Sequence, residues 1–346
     1  MSGSRPYGLA RPTAQQAPPL TFGRRFLALP EAFLAGWPEL AWGEERLNLD
    51  LGDQRYALHG LSSKQLGLIA SRYRAVPDGS LQDGLPRSVA IRWCRAPERA
   101  FREHDPSLRA YTFDLERLGS GLRIAGFRFA VLADLSEDGI RASVWTPELG
   151  KHVLGVLANV LRTLVAYSYM SRGGALLHSA GIVWQDRARL FVGQSGAGKS
   201  TLSGLAPGGY RVLSDDLNAV SRNAVSRRDD GLYVTGLPFT GDLGTTGRTI
   251  EGTFPLAAIY FLRHGAHDRV WPVSLATAVA NLYGCAPFVN HDPHCAGPLL
   301  DLLERLIRRV PVYGLSFRPT ADIWQVLASQ VFESQSLELP ARACPP

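Results

Sequence analysis

The chain has 346 residues, of which 45% are hydrophobic and 20% are charged. This length predicts one large or two modest domains, and the hydrophobic content is that of a globular protein with a substantial core. We find no apolar run long enough to span a bilayer and no signal-peptide pattern at the N-terminus, so we expect no membrane partner.

The formal net charge of +6 comes mostly from arginine, which is scattered along the chain. A basic chain can favour nucleic acid or other anionic partners, but scattered arginines are more typical of an arginine-rich soluble protein, so we expect no nucleic-acid partner. The cysteines at positions 94, 285, 295 and 344 are too few for a disulfide scaffold. They favour reduced thiols and a cytoplasmic location.

Composition and pattern divide the chain into four parts. Residues 1–20 are rich in proline and predict a flexible tail, and residues 336–346 predict a second tail. Residues 21–150 predict an N-terminal α+β module, and residues 151–335 predict a nucleotide-binding domain with a P-loop. The order of strands and helices places the whole chain in the α/β class.

The N-terminal module shows strands and one capped helix but no catalytic constellation. Alternation over residues 46–51 predicts a half-exposed strand, and Ser62 followed by Gln65 predicts a capping box for a helix that runs toward Tyr73. His59 and His104 are isolated, and we interpret both as surface or packing residues. Further strands are expected at residues 88–93, 110–115, 122–132 and 141–145.

Residues 147–171 predict a long helix that bridges the two parts of the chain, since its apolar residues follow helical spacing. Residues 175–184 then predict a strand, and a polar turn at residues 185–187 leads to a second strand. If the two strands pair as a hairpin, His178 lies close to the loop that follows. Structural and functional interpretations of His178 are about equally supported.

The pattern Gly-x-x-x-x-Gly-Lys-Ser, typical of a P-loop, occurs at Gly193, Gln194, Ser195, Gly196, Ala197, Gly198, Lys199 and Ser200. Its glycines let backbone N–H groups approach phosphate oxygens, Lys199 supplies charge for the β- and γ-phosphates, and Ser200 offers a hydroxyl to Mg²⁺. Thr201 opens a helix whose N-terminus favours anions. The alternative is a glycine-rich turn that binds nothing. Lysine occurs elsewhere only at positions 64 and 151, which makes Lys199 informative.

A pair of carboxylates follows the next predicted strand, at residues 210–213. Asp215 and Asp216 lie where a nucleotide's metal is held, so one can coordinate Mg²⁺ and the other can accept a proton from an attacking hydroxyl. An ordinary Asp-rich turn is the alternative. A Gly- and Thr-rich loop at residues 238–252 is expected to close over substrate. In that loop Arg248 could meet a phosphate, and Asp242 or Glu251 could approach the metal.

The C-terminal third predicts a strand at residues 256–262, a helix at 274–283 capped by Ser274, a helix at 299–310, a strand at 312–317 and a helix at 321–332. A cluster of possible zinc ligands lies between the first two helices: Cys285, His291, His294 and Cys295. Their spacing matches no standard structural zinc signature, so we favour a connecting loop.

The histidine-containing strand before the loop, the P-loop and the pair of aspartates together resemble the HPr kinase/phosphorylase superfamily. That group is structurally related to the phosphoenolpyruvate carboxykinases, and the resemblance covers roughly residues 150–330. It implies a P-loop kinase core with a mixed sheet, in which Asp215 is the base, Asp216 lies near the metal and His178 is the family's histidine.

The family's downstream glutamate has only Glu251 and Asp242 as nearby candidates here, and the N-terminal module does not resemble that of the HPr enzymes. The resemblance therefore implies a kinase-type nucleotide site but not HPr as substrate. The chain is closer to HPr-kinase-like proteins, some of which accompany peptide-modification systems and phosphorylate peptide hydroxyls.

We therefore expect a kinase that uses ATP or GTP with Mg²⁺ and phosphorylates a peptide, protein or small-molecule hydroxyl, most readily a serine or threonine. Lys199, Asp215 and His178 would form its catalytic set; Ser200, Asp216 and Glu251 would hold the metal; the loop residues with Thr201 and Arg248 would bind the nucleotide. One alternative is a nucleotide-binding regulator or hydrolase, and another is an adaptor that only binds nucleotide. A transport ATPase is disfavoured because no Leu-Ser-Gly-Gly-Gln sequence follows the loop. A homo-oligomer is left open.

Overall fold

Two large mixed β-sheets with helices packed on them give the protein an α/β architecture, which confirms the broad class expected from the sequence. The computed structural model describes residues 40–77, 88–96, 114–147, 152–222, 231–239 and 250–329, together with positions 26, 30 and 150. Several expectations fall outside these residues: both tails, His104, Asp242 and Arg248.

The first sheet is formed by β1 (Glu45–Leu51), β2 (Gln54–Leu61), β3 (Ala75–Val76), β4 (Ser88–Arg95), β5 (Asp114–Leu118), β6 (Gly121–Gly126), β7 (Phe129–Ser136) and β8 (Gly139–Thr146). Its strand order is β3-β1-β2-β4-β8-β7-β6-β5. The pairs β2–β4 and β4–β8 are parallel, and the remaining neighbours are antiparallel.

Local signals explain most of this sheet. Leu47, Leu49 and Leu51 of β1 are buried while the residues between them are not, as period-two alternation requires. Helix α1 (Ser63–Ala70) begins at the predicted capping box, in which the Ser62 side chain accepts from the Gln65 backbone.

The single strand expected over residues 122–132 is wrong, because the chain reverses at positions 127–128 and forms the β6–β7 hairpin. The turn residue Arg128 has a φ of 63°. Neither turn residue is Gly, Asn or Asp, so no residue typical of a turn marks these positions.

Helix α2 (Val153–Ser171) is the longest helix in the described part of the chain, and it begins six residues later than the predicted position 147. Contrary to our expectation, it is long enough to cross a membrane and contains an 18-residue stretch that is apolar enough to do so. However, 72% of that stretch is buried inside the protein. The helix contacts strands β7 and β8 of the first sheet and β9 (Ala175–Trp184) of the second. This burial marks it as a core helix of a soluble fold.

The second sheet contains β9, β10 (Arg187–Val192), β11 (Arg211–Ser214), β12 (Leu217–Arg222), β13 (Leu232–Gly236), β14 (Thr253–His264), β15 (Arg269–Pro272) and β16 (Val312–Phe317). The order is β10-β9-β12-β13-β14-β16-β15, with β11 beside β9. Strand β14 also pairs in parallel with β10, and β16 pairs in parallel with β14. The carboxyl ends of β10, β14 and β16 therefore meet at one edge, where ligands bind in open α/β sheets.

The described residues of this half contain three further α-helices: α3 (Lys199–Gly204), α4 (Leu275–Gly284) and α5 (Pro293–Ile307). A short 3-10 helix (Val289–His291) lies between α4 and α5, and a helical segment follows at residues 323–329. Ser274 caps α4 as predicted. Helix α5 begins at Pro293 rather than at the expected position 299, because the Asp292 side chain caps it and proline fits its first turn. Cys295 is consequently helical and not part of a connecting loop.

One hydrophobic core runs through both halves of the chain. Leu49 of the first sheet, Leu161 of α2 and Leu176 of the second sheet are fully buried members of it. At the seam Arg172 forms a two-pronged ion pair with Asp53, with nitrogen–oxygen distances of 2.8 and 3.1 Å. The proposed division near residue 150 stays a prediction.

Burial of α2 between the sheets gives a stability prediction. We expect Leu164→Ala to lower the free energy of unfolding by about 2–5 kcal/mol, since Leu164 has no exposed surface. Leu154→Ala, at a partly exposed position of the same helix, should cost clearly less. Denaturant unfolding of both variants checks this. Equal losses would contradict the packing described here, and two separate transitions would show that the sheets unfold independently.

Candidate functional site

The glycine-rich loop at residues 193–198 connects the buried strand β10 to helix α3. Gly198 is the N-cap of α3 and has a φ of 96°, a conformation that favours glycine. A Cβ at Gly198 would lie 2.8 Å from the Phe317 ring, and one at Gly193 would lie 2.6 Å from the Ala197 side chain. Close packing therefore requires two of the glycines that the pattern places here.

Lys199 is folded back over this loop. Its Nζ donates to the carbonyl oxygens of Gly193 at 2.8 Å and Gln194 at 3.0 Å, and the residue is only 6% exposed. Backbone carbonyls thus satisfy a buried ammonium group that would otherwise be costly. The same contacts fix the positive charge at the mouth of the loop.

The Ser200 hydroxyl donates to a carboxylate oxygen of Asp215, at 3.0 Å. Asp215 is only 4% exposed and lies in the short turn after β11. The sequence predicts that Ser200 shares a metal with Asp216 and that Asp215 accepts the proton. The contact instead joins Ser200 to Asp215.

Asp216 faces two other groups. One of its oxygens accepts from Arg162 of α2 at 2.9 Å, and the other lies 3.5 Å from Nε2 of His178. The Arg162 guanidinium also lies over the Phe239 ring, at 5.6 Å from its centre. The two aspartates are neighbours in sequence but have different partners, so their chemical roles differ.

A buried amide and a buried hydroxyl hold the aspartate turn in place. The Asn218 side chain donates to the carbonyl oxygen of Ser179 at 2.7 Å and to that of Ser214 at 3.2 Å. The Ser214 hydroxyl accepts from the backbone N–H groups of Asp216 and Leu217, both at 3.2 Å. These bonds tie the turn to strand β9, which pairs with β10 just before the loop.

His178 is on β9 as predicted, and β9 and β10 pair as the expected antiparallel hairpin. Burial, together with the cations Lys199 and Arg162, lowers the pKa of His178 to about 4, and Asp215 opposes this shift. The imidazole is therefore neutral at pH 7, and its Nε2–H can donate to Asp216 without adding charge to the site.

The sequence missed two residues that contact this site. Arg162 lies in a helix whose sequence analysis used only the apolar pattern. A single arginine in such an apolar helix indicates a charged partner, because a buried charge is rarely left unpaired. His264, at the end of β14, has its Nε2 2.5 Å from the Gly196 carbonyl oxygen. Only the parallel pairing of β10 with β14 brings His264 to the loop, and no local sequence pattern reveals that pairing.

Among the described residues, the remaining candidates for metal binding do not form a metal site. Glu251 pairs with Arg74 at 3.3 Å, and both side chains are 71% exposed, so nothing supports Glu251 as a metal ligand. In the part of the chain that the structure describes, no three His, Cys, Asp or Glu residues form a metal-binding group. The thiol of Cys295 instead donates to Asp292 at 3.4 Å, inside the capped start of α5.

This geometry defines an α/β protein in which a glycine-rich loop follows a buried strand and faces an aspartate pair. The family model of the SynChlorMet cassette protein ScmC matches residues 151–333, which is more than half of the chain. The chain therefore belongs to the ScmC family. No curated protein matches the sequence closely enough to be a relative.

The lowered pKa of His178 predicts a pH effect on stability. Between pH 6.5 and 4 the unfolded histidine takes up a proton that the folded one does not, so acidification destabilises the fold in this window. From pH 7 to pH 5 we expect the wild type to lose about 1–2 kcal/mol more than His178→Gln. Denaturant unfolding at both values measures this, with His291→Gln at an exposed position as control. An equal loss in wild type and His178→Gln would contradict it.

Proposed function

We propose that this protein is an ATP-dependent kinase of the HPr-kinase-like type, which transfers a phosphoryl group to a hydroxyl acceptor. The observation that carries the proposal is the contact between Ser200 of the loop and the buried Asp215, beside the loop-bound Lys199. A hydroxyl and a carboxylate so placed are the pair that nucleotide-dependent phosphoryl transfer needs beside a lysine. A cytoplasmic location, where nucleoside triphosphates are available, belongs to the same proposal.

The residues fit a nucleotide with its magnesium ion. The oxygens of Ser200 and Asp215 are hard ligands, which Mg²⁺ prefers, and Lys199 brings a positive charge to the mouth of the loop. Gly196 has a φ of 83° and open space where a Cβ would point, so its backbone can be approached closely. When bound, the magnesium nucleotide supplies the phosphoryl group and offsets its charge.

We assign the two aspartates by their partners. Ser200 and Asp215 would hold the metal, because their oxygens are already in contact. Asp216 would accept the proton of the acceptor hydroxyl, since the contact with Arg162 orients its carboxylate. The neutral His178 would position Asp216 from its other oxygen. The resemblance to HPr kinases implies the reverse assignment, in which Asp215 is the base.

Nucleotide binding tests the loop. We expect Gly198→Ala to weaken binding of Mg–ATP at least about tenfold, because a side chain there meets Phe317 and strains a left-handed residue. Gly208→Ala is the matched control, since nothing lies within 4 Å of its added carbon. Calorimetric titration measures both, with melting curves to confirm folding. Unchanged affinity in Gly198→Ala, or no binding by the wild type, would contradict a phosphate-binding loop.

Phosphate transfer from γ-labelled ATP to a panel of hydroxyl peptides and small metabolites tests the activity. We expect Asp216→Asn to lower the turnover rate by about 10²–10⁴ while nucleotide binding persists. Asp215→Asn should raise the Mg²⁺ concentration needed for half-maximal transfer by about tenfold or more. Asp186→Asn, in the exposed β9–β10 turn, is the control.

The outcomes separate the competing assignments. If Asp215→Asn lowers the turnover rate as strongly as we expect of Asp216→Asn and leaves the Mg²⁺ requirement of the residual transfer unchanged, Asp215 is the base and our assignment is reversed. If free phosphate appears at the same rate with and without every acceptor, the protein is a hydrolase or regulator. If nucleotide binds without any turnover, the adaptor alternative holds.

A further inference from the structure

A pocket of about 440 Å³ lies at the carboxyl ends of β14 and β16, at the edge of the second sheet that also carries the glycine-rich loop. Two arginines, two histidines, a serine and a tryptophan form most of its lining: Arg263, His264, His267, Arg269, Trp271 and Ser316. The proposed mechanism uses none of these side chains. We therefore asked what such a pocket could bind.

Strand pairing brings the lining residues together. Ser316 of β16 pairs with Arg263 of β14 on one side and with Arg269 of β15 on the other, so these three residues share one face of the sheet. Two positions further along that face, Gly314 pairs with Trp271. A Cβ at Gly314 would collide with the Trp271 ring, so the missing side chain makes room for the indole.

The core does not account for these side chains. Trp271 is partly exposed and belongs to none of the hydrophobic clusters that the described residues form. Arg263 and Arg269 are exposed, and neither forms an ion pair with a carboxylate in the part of the chain that the structure describes. The neighbouring acid, Asp268, pairs with Arg318 at 2.9 Å. An aromatic ring between two such cations is typical of a binding site rather than of packing.

Only the end of β14 separates this pocket from the glycine-rich loop. Leu262, the residue before Arg263, lies beside the start of the loop, since a Cβ at Gly193 would be 3.5 Å from the Leu262 Cβ. His264 lines the pocket and has its Nε2 2.5 Å from the Gly196 carbonyl oxygen. A ligand bound to the loop can therefore extend directly into the pocket.

The two sides of β10 give a bound nucleotide a direction. The aspartate turn and His178 lie on the side of β9 and β11, whereas the pocket lies on the opposite side, beyond β14. The transferred phosphate has to face the aspartates, so the nucleoside end of the phosphate chain would leave the loop toward β14 and β16. Ligands of open α/β sheets commonly lie beyond the carboxyl ends of the strands, as this pocket does.

We propose that this pocket holds the nucleoside of the nucleotide, with the base stacked on Trp271. The inference rests on the proposed kinase function and assigns residues to the half of the nucleotide that the loop does not contact. Bases stack on aromatic rings and on the flat guanidinium groups of arginines, so Arg263 and Arg269 can cover the base or neutralise the nearest phosphate. A purine covers more of an indole than a pyrimidine does, which favours ATP or GTP.

An inorganic anion would use less of the pocket. The arginines and histidines suit any anion, but the indole adds an aromatic surface that only a ligand with a ring can use. The contribution of the ring can therefore be separated from that of the phosphates by comparing two ligands, Mg–ATP and magnesium tripolyphosphate, which carry three linked phosphates each and differ in the nucleoside.

Calorimetric titration of the full-length protein with both ligands tests the inference. We expect Trp271→Leu to raise the Kd of Mg–ATP at least about tenfold and that of tripolyphosphate by less than about twofold, because only ATP loses a stacking partner. Trp271→Phe keeps a ring and should retain most of the ATP affinity. Trp184→Leu is the matched control, since Trp184 is also partly exposed but lies at the opposite end of the β9–β10 hairpin from the loop. Melting curves establish that each variant is folded.

The outcomes distinguish this inference from the proposed function. Equal weakening of both ligands by Trp271→Leu would mean that the change acts on the loop, and unchanged ATP binding would place the nucleoside elsewhere. A loss in Trp271→Phe as large as in Trp271→Leu would assign the effect to packing on Gly314, and an equal loss of ATP affinity in Trp184→Leu would make it nonspecific. Each of these results overturns the inference and leaves the loop as a phosphate site. A wild type that binds neither ligand would refute the proposed function, and the nucleoside site with it.

Discussion

The candidate site depends on one strand that pairs with three others. Residues 179–184 of β9 pair with β10, which leads into the glycine-rich loop, while residues 175–178 pair with β12, which follows Asp216. Strand β11, which delivers Asp215, also pairs with β9. Because β9 pairs with β10, β11 and β12, the loop and the aspartate turn cannot move independently. The Asn218 amide strengthens this arrangement where the backbone ladder is interrupted by the turn.

Helix α2 makes the core and the site interdependent. Its apolar residues fill the space between the two sheets, and Arg162 on the same helix extends to Asp216. The Arg162 guanidinium is only partly exposed, and contacts with the Asp216 carboxylate and the Phe239 ring stabilise its charge. Any change in the packing of α2 would therefore displace the ion pair. The N-terminal sheet packs against one side of α2 and so contacts the helix that carries Arg162.

Local patterns predicted much of this architecture. The β9–β10 hairpin, the loop with Lys199 and Ser200, the capped starts of α1 and α4, and strand β16 could be located because each has a short-range signal: alternation, a cap or a glycine. The partners of the two aspartates could not be predicted, because nothing in the sequence distinguishes Asp215 from Asp216. Only the geometry of the turn places Asp215 against Ser200 and Asp216 against Arg162. The contact of His264 with the loop depends on strand pairing between distant segments, which local sequence does not encode. The early start of α5 has only two sequence signals, the capping residue Asp292 and the proline at the first helical position, Pro293.

If the loop binds phosphate as we propose, the bonds that Lys199 makes to it also affect which anions it can select. Its ammonium group already donates to two carbonyl oxygens, so an incoming anion must replace these hydrogen bonds. The net gain in binding free energy is therefore only the difference between the new contacts and those that are lost. An ion with one phosphate has few contacts to offer in exchange, whereas a chain of phosphates adds contacts along the backbone N–H groups. Affinity should therefore rise steeply with phosphate number, and free inorganic phosphate, abundant in any cell, would compete poorly.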